Sequence, residues 1–486
     1  MIKSVCILGG GTSGLITALV LNKWYPTMDI KIIESPTIGI VGVGEGSTEH
    51  WKQFINTVGI TLQELMLETG ATFKAGIRFE NWNGDGTFYM HALHADYTQL
   101  MGNGLPGVMV KLISEDQPHL YPDNVINSIH YFPIDASVNQ YHFDTFKLNK
   151  FLHKKCIERG VVVVEDDIDD VEIDSQGYIS SLINKDGVKY TADFFVDSSG
   201  FRRVISSKLG AKWNDCKEYL PMDRAFAFPT PSDDEFPSWT LSRALSSGWS
   251  WRIPTQERYG NGYVYSSEFL SDDQALSEMQ QYYKDPIQVG KSFKFSAGYV
   301  DKFWIKNCVA VGLAGSFVEP LEATSIGTSI QQAFALGSAL ASWTKGNEKI
   351  ADKYNQQFEA VAKNIIDFVQ LHYITQRNDT PFWRSCKDLK LTEFNKDTLE
   401  HFKTVVPSRA YFPSHWVLFT EQNWLQVLHG LKLFDIEKIK QIWMSQDPSV
   451  ITETDKIYDN ILLYQRDALK FNHRGAIEFL AKEVKR

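Results

Sequence analysis

Ser4-Val5-Cys6-Ile7-Leu8-Gly9-Gly10-Gly11-Thr12-Ser13-Gly14-Leu15-Ile16-Thr17-Ala18-Leu19-Val20-Leu21 decides the fold. A short apolar run of strand type meets a glycine-rich turn, and an apolar run of helical type follows at once. That order is what a dinucleotide-binding unit requires. Gly9 permits the tight turn, Gly11 lets backbone approach a pyrophosphate, and Gly14 lets helix pack on strand. Thr12 and Ser13 open the helix, whose N-terminus offers N–H groups and a positive dipole end to phosphate. A second strand, Asp29-Ile30-Lys31-Ile32-Ile33, ends at Glu34, twenty residues past Gly14. A carboxylate there can accept hydrogen bonds from ribose hydroxyls. NAD and FAD both suit such a turn, and nothing local separates them.

The chain of 486 residues is long enough for a large core and more than one packed unit. Its net charge of -10, without Lys/Arg runs, argues against nucleic acid or an anionic membrane as partner. No apolar stretch is long enough to span a bilayer. Glu165-Asp166-Asp167-Ile168-Asp169-Asp170 reads as a solvated strand end rather than a metal site. Five scattered cysteines have no metal-ligand spacing, and reduced thiols are expected. With a strand beginning near Lys3 there is no room for a signal peptide, so a cytoplasmic protein is expected.

Val161-Val162-Val163-Val164 and Val171-Glu172-Ile173 look like paired strands. Tyr190 to Gly200 looks like a buried strand ending in a turn, and Asn307 to Gly312 looks like another. Helical patterns run from Thr324 to about Thr344 and from Ile350 to about Tyr373, and the chain is helix-rich and aromatic after Pro381. The expected class is α/β: a Rossmann-type nucleotide module with inserted strands and a helix-rich second, substrate module. We assign residues 1–80, 140–215 and 295–375 to the first, discontinuous module. Residues 81–139, 216–294 and 376–486 form the second.

Several remote segments carry a resemblance. Gly248-Trp249-Ser250-Trp251-Arg252-Ile253-Pro254 matches in full the Gly-Trp-x-Trp-x-Ile-Pro signature of the flavin-dependent halogenases. Phe73-Lys74-Ala75-Gly76-Ile77-Arg78-Phe79, Val41-Gly42-Val43-Gly44-Glu45-Gly46 and Phe317-Val318-Glu319-Pro320-Leu321-Glu322 are similar to family segments and run in family order. So does Asp379-Thr380-Pro381-Phe382-Trp383-Arg384, after which the likeness fades. The resemblance implies FAD as cofactor, used as FADH2 from a separate flavin reductase. Oxygen then gives a flavin hydroperoxide, which halide attacks to yield hypohalous acid. A tunnel leads this acid to a lysine beside an aromatic substrate. The matched positions imply FAD against Gly9, Gly11, Thr12, Ser13, Gly14, Glu34, Ile38, Val41, Val43, Gly46, Ile168, Leu313 and Ile326. They imply halide at Thr324 and Ser325, and Lys74 and Glu322 as catalytic residues. Family habit suggests a homodimer.

The residues allow blander readings beside these. Alternation over 71–80 puts Thr72, Lys74, Gly76 and Arg78 on one strand face, where a lysine is ordinarily solvated. The resemblance reverses that expectation. Glu322 suits a carboxylate that stabilises a cationic ring and takes its proton, or a first-turn acid before the helix starting near Thr324. Trp249 and Trp251 share one strand face and could be plain core; the family uses them as a wall between flavin and substrate.

Two departures shape the expected specificity. The family commonly has Ser-Thr-Gly where this chain has Ala323-Thr324-Ser325. Serine tolerates positive φ less easily than glycine, so an altered pocket preferring bromide or iodide to chloride is expected. Tryptophan halogenases carry Phe-Tyr-His-x-Phe; here Phe88-Tyr89-Met90-His91-Ala92 displaces the histidine and loses the second aromatic. Phe88, Met90 and His91 are candidate lining for a roomier pocket that takes phenols, anilines or substituted indoles rather than free tryptophan. The competing readings are a flavin monooxygenase hydroxylating an aromatic and a flavin-binding protein without catalysis.

Overall fold

The computed structural model describes residues 2–40, 45–92, 105–115, 140–412, 417–467 and 473–483. Val41 and Val43 lie outside them. The strand Ser4–Leu8 sits inside a six-stranded sheet. The strand order is Trp304–Ile305, Cys308–Ala310, Phe194–Asp197, Ser4–Leu8, Asp29–Glu34, Val162–Glu165. All neighbours are parallel except the first pair. Such strands are covered on both faces, which is why they read as continuous apolar runs. The helix Thr12–Trp24 buries Gly14 to Leu21. It packs against the helix Thr324–Leu340, where the Tyr25 hydroxyl donates to Gly337 O at 2.5 Å.

The expected pairing of 161–164 with 171–173 does not form. Val162–Glu165 completes the six-stranded sheet beside Asp29–Glu34, while Ile168–Ile173 pairs with Ile179–Asn184. Between them the Asp166 carboxylate accepts from Asn184 Nδ2 and the Tyr190 hydroxyl, and the chain changes sheet there.

A second, seven-stranded sheet runs Lys291–Lys294, Arg224–Pro231, Arg258–Tyr265, Gly248–Pro254, Trp239–Ala244, Gly76–Glu80, Phe88–Ala92. A small third sheet joins Glu45–Gly46 and Thr72–Phe73 through Tyr141–Phe143. The chain crosses from the third sheet to the second at Lys74 and Ala75. Lys74 N–H donates to Gln140 O at 2.9 Å and Ala75 N–H to Ser238 O at 2.6 Å. Gly76–Glu80 pairs with Trp239–Ala244. One apolar core, including Leu15, Phe54, Phe79, Trp249 and Leu371, runs beneath both large sheets.

The long helix Lys349–Tyr373 and the helix Glu421–Gly430 close the far side. The latter lies on Phe88–Ala92, with Gln426 Oε1 accepting from Ala92 N–H at 2.9 Å. A side chain at Gly430 would meet the Tyr89 ring at 2.2 Å, so the approach depends on glycine. No described helix is long and apolar enough to cross a membrane.

Candidate active site

The glycine turn is a cradle whose geometry explains its residues. Gly9 has φ 120, and a Cβ there would lie 2.2 Å from Ser198 O. A Cβ on Gly14 would lie 2.1 Å from Gly9 O. At Gly11 nothing lies within 4 Å of the Cβ position, and no side chain caps the helix it begins. Space and an uncapped helix start together fit a pyrophosphate. Glu34 packs against Gly10, and its Oε1 is 3.0 Å from His153 Nε2. Ser13 Oγ meets Ser198 Oγ at 2.7 Å and abuts Gly312, which brings the Gly312–Ala314 turn with Leu313 to the cradle. Ile326 is buried in the helix Thr324–Leu340 and Ile38 is exposed. The Ile168 side chain belongs to a core with Cys6, Leu8 and Ile33, so it has only backbone to offer a cofactor.

Lys74 is fully buried, not on a solvated face. The reason is the sheet crossing: alternation along one strand does not apply to a residue between two sheets. Nζ donates to Ser47 O at 3.0 Å. A Cβ on Gly46 would lie 3.1 Å from Nζ, so glycine makes the room. Burial pushes the lysine pKa down to about 8, while the charges of Glu322 and Glu49 pull it upward.

Glu322 lies in the turn Leu321–Ala323 with φ 67, followed by Ala323 at φ 54. Two successive non-glycine residues in the left-handed region are strained backbone of the kind found at working sites. The turn sends the carboxylate inward. Both oxygens meet His91 Nδ1, at 2.9 and 2.8 Å, and Oε1 meets His372 Nε2 at 3.0 Å. Burial by itself would raise this pKa; the imidazoles of His91 and His372 more than offset it and hold the carboxyl at about 2. Glu322 does not cap the following helix, whose N-cap is Ala323.

Thr324 and Ser325 form the first turn of that helix. Positive φ falls on Glu322 and Ala323, not on Ser325. A serine at this place is thus unstrained, so backbone conformation gives no cause for an altered halide pocket. Thr324 and Ser325 line a small recess with Phe317, Val318, Ile365 and Ile366.

Trp249 and Trp251 project from one face of Gly248–Pro254, buried, with ring centroids 6.1 Å apart. Trp249 Nε1 donates to Glu319 Oε1 at 2.9 Å, and the Tyr373 hydroxyl donates to the same oxygen. Burial lifts the Glu319 pKa to about 7, against the pull of those two hydrogen bonds. A Cβ on Gly262 would stand 2.0 Å from Trp251 Cη2 and 2.6 Å from Phe226 O. Gly262→Ala is expected to cost about 1–3 kcal/mol by overpacking; urea denaturation measures it, and an unchanged midpoint would mean that the strand pair shifts freely.

The structure does not bring the expected pocket residues Phe88, Met90 and His91 to one face. The three lie on one strand, so His91 faces opposite to Phe88 and Met90. His91 is committed to Glu322. Phe88 is exposed at the sheet edge, under the Arg78 guanidinium 3.6 Å from its ring centre. Met90 is buried in the core. Sequence reasoning missed His372, Ser47 and Asn423, none of which stands in a motif of its own, and Glu319, which stands in the quoted segment Phe317–Glu322 but was given no role. No group of acidic, Cys and His residues able to hold a metal occurs among the described residues.

Comparison with known proteins agrees with this architecture. A family model described as tryptophan halogenase matches residues 4–442. Tryptophan 7-halogenase RebH of Lentzea aerocolonigenes is 32% identical over 523 residues, covering 96% of each chain. Tryptophan 6-halogenase ThaL of Streptomyces albogriseolus is 33% identical, covering 84% of this chain and 83% of its own. The crystal structure of BrvH, a flavin-dependent halogenase from Brevundimonas sp. BAL3, superposes with a TM-score of 0.83 at 27% identity, covering 99% of each chain. The chain belongs to the tryptophan halogenase family of flavin-dependent halogenases.

Proposed function

We propose that the protein halogenates an electron-rich aromatic other than free tryptophan, with Lys74 directing hypohalous acid and Glu322 accepting the ring proton. The observation that carries this reading is a buried lysine, held where the chain passes from one sheet to another, that feels the charge of a buried carboxylate. A lysine and a glutamate without such a task would be solvated.

The glycine turn, Glu34 and the Gly312–Ala314 turn would hold FAD, and a separate reductase would supply it reduced. With oxygen and halide it provides hypohalous acid. Lys74, anchored by Ser47 O, donates a hydrogen bond to the oxygen of that acid. The ring π electrons attack the halogen, the carbon–halogen bond forms and the oxygen–halogen bond breaks. Lys74 gives a proton to the departing oxygen, which leaves as water. Glu322 takes the proton from the substituted carbon, and the C–H electron pair returns to the ring. One proton leaves the site's lysine and one enters its carboxylate, so the balance closes.

The halide would lie at the first turn of Thr324–Leu340. Its apolar neighbours Phe317, Val318, Ile365 and Ile366 replace little of an ion's hydration. Bromide and iodide surrender water more easily than chloride, and we expect them to be used in preference. For the substrate, Met90 and Ala92 supply no aromatic clamp, and His91 is engaged by Glu322. Substituted indoles, phenols and anilines suit such a pocket.

The test is turnover with a flavin reductase, FAD, NADH and oxygen, on these aromatics with competing chloride, bromide and iodide, read by mass spectrometry with catalase present. Halogenated product supports the proposal. Hydroxylated product would move the assignment to a monooxygenase, preferred chloride would overturn the halide reading, and preferred free tryptophan the substrate reading. The pH dependence supplies a check on Lys74. Its buried ammonium loses its proton near pH 8 rather than 10.5, and this mechanism needs the protonated form. The expected kcat/KM falls as pH rises through about 8; a rise over the same range would mean that the free amine reacts.

A further inference from the structure

We infer that Glu322 works as half of a dyad: one proton is shared between its Oε1 and His372 Nε2, whereas His91 is locked neutral. This inference concerns the base of the reaction proposed above and rests on that reading for its role, though not for its geometry.

The placement of protons follows from donors and acceptors. Asn423 Oδ1 accepts from Thr420 N–H at 2.8 Å, which fixes the amide. Its Nδ2 therefore faces His91 Nε2, at 3.0 Å. An amide nitrogen only donates, so His91 Nε2 accepts and the ring proton sits on Nδ1, pointing at Glu322. A doubly protonated His91 would set N–H against N–H.

His372 is in the opposite position. Its Nδ1 lies 2.9 Å from Phe368 O, a carbonyl that can only accept, so Nδ1 carries a proton. Its Nε2 lies 3.0 Å from Glu322 Oε1. A neutral ring beside a bare carboxylate would set two lone pairs against each other in a site with no solvent exposure of either side chain. A second proton must lie between Nε2 and Oε1. The pair then has no net charge, which is how a buried ionisable pair avoids the larger penalty of an isolated ion. The surroundings suit a ring with cationic character: Phe79 and Trp82 lie 4.8 and 5.8 Å from the His372 ring centre, and Phe368 meets it edge-on at 5.2 Å. Lys74 and Tyr89 also feel the Glu322 charge.

The two histidines thus have different tasks on one carboxylate. His91 is a neutral donor that orients it. His372 is a positioning residue that also holds the proton keeping Glu322 ionised. The proton from the substituted carbon then goes to the carboxylate while the bridging proton stays on Nε2.

The test applies one substitution to both. His91→Gln keeps a neutral donor to the carboxylate, and its loss in kcat is expected to be at most about a tenth of that of His372→Gln. His372→Gln also keeps a donor but cannot carry the extra proton; it is expected to lower kcat by about tenfold to a hundredfold, with little change in KM. It should also enlarge the deuterium isotope effect at the halogenated carbon, because proton loss becomes slower. Equal losses in the two variants would overturn the inference. Independently of turnover, enzyme labelled with ¹⁵N-histidine is examined by NMR near neutral pH, with His372 assigned by its loss in His372→Gln. Both ring nitrogens of His372 are expected to be protonated in the wild type, and only one in Glu322→Gln. A singly protonated His372 in the wild type overturns the dyad and leaves the halogenase reading intact. Failure of halogenation with the NMR pattern as expected removes that reading and leaves the proton placement.

Discussion

Lys74→Met is expected to make no halogenated product above about a thousandth of the wild-type rate, yet to fold more stably. The loss follows because hypohalous acid has no donor to hold it beside the substrate, and removing one such group costs on the order of 10²–10³-fold or more. The gain follows from burial. The Lys74 pKa is lowered from 10.5 to about 8, so below pH 8 the folded state carries a charge that the unfolded state holds more cheaply in water. Methionine fills the same stem without that cost, and the net gain is expected to be about 1–2 kcal/mol after Ser47 O loses its donor. The sign is checkable. As pH rises from about 8 toward 10.5, the folded lysine is neutral while the unfolded one still binds a proton, so wild-type stability rises and the gap narrows. Denaturation of both proteins across that range measures it. A variant less stable than wild type at neutral pH would mean that Lys74 is structural; product from Lys74→Met equal to wild type would mean that free hypohalous acid does the work.

Glu322→Gln is expected to lower kcat by about 10²–10³-fold while leaving FAD binding unchanged. Glutamine has nearly the carboxylate's shape but no charge for the cationic ring and cannot take its proton. It also removes an acceptor that two imidazoles share. The flavin cradle is built from other residues, so flavin affinity by fluorescence titration separates a lost base from a misfolded enzyme. A loss of less than about fivefold would mean that solvent removes the ring proton.

Much of the parallel sheet was legible in the chain. Gly9 and Gly14 stand where a Cβ would meet Ser198 O and Gly9 O, and the strand to Glu34 ends beside the turn. The helix Lys349–Tyr373 and the shared face of Trp249 and Trp251 were equally readable, because each depends on spacing within one element. The same rule misled at Lys74, where the strand pattern continued on paper while the chain passed from one sheet to another. Along Phe88–Ala92 the same alternation sets His91 on the face opposite to Phe88 and Met90.

The sequence by itself determined the family, the dinucleotide turn and the candidate pair of Lys74 and Glu322, because those are recorded in residue type at fixed local spacing. Only the tertiary structure decided what surrounds the pair. His91 and His372 reach Glu322 from 231 and 50 residues away, and Asn423 reaches His91 from 332. Where a proton rests depends on which donors and acceptors face one another out of water, and that is a property of four elements meeting, not of any one of them.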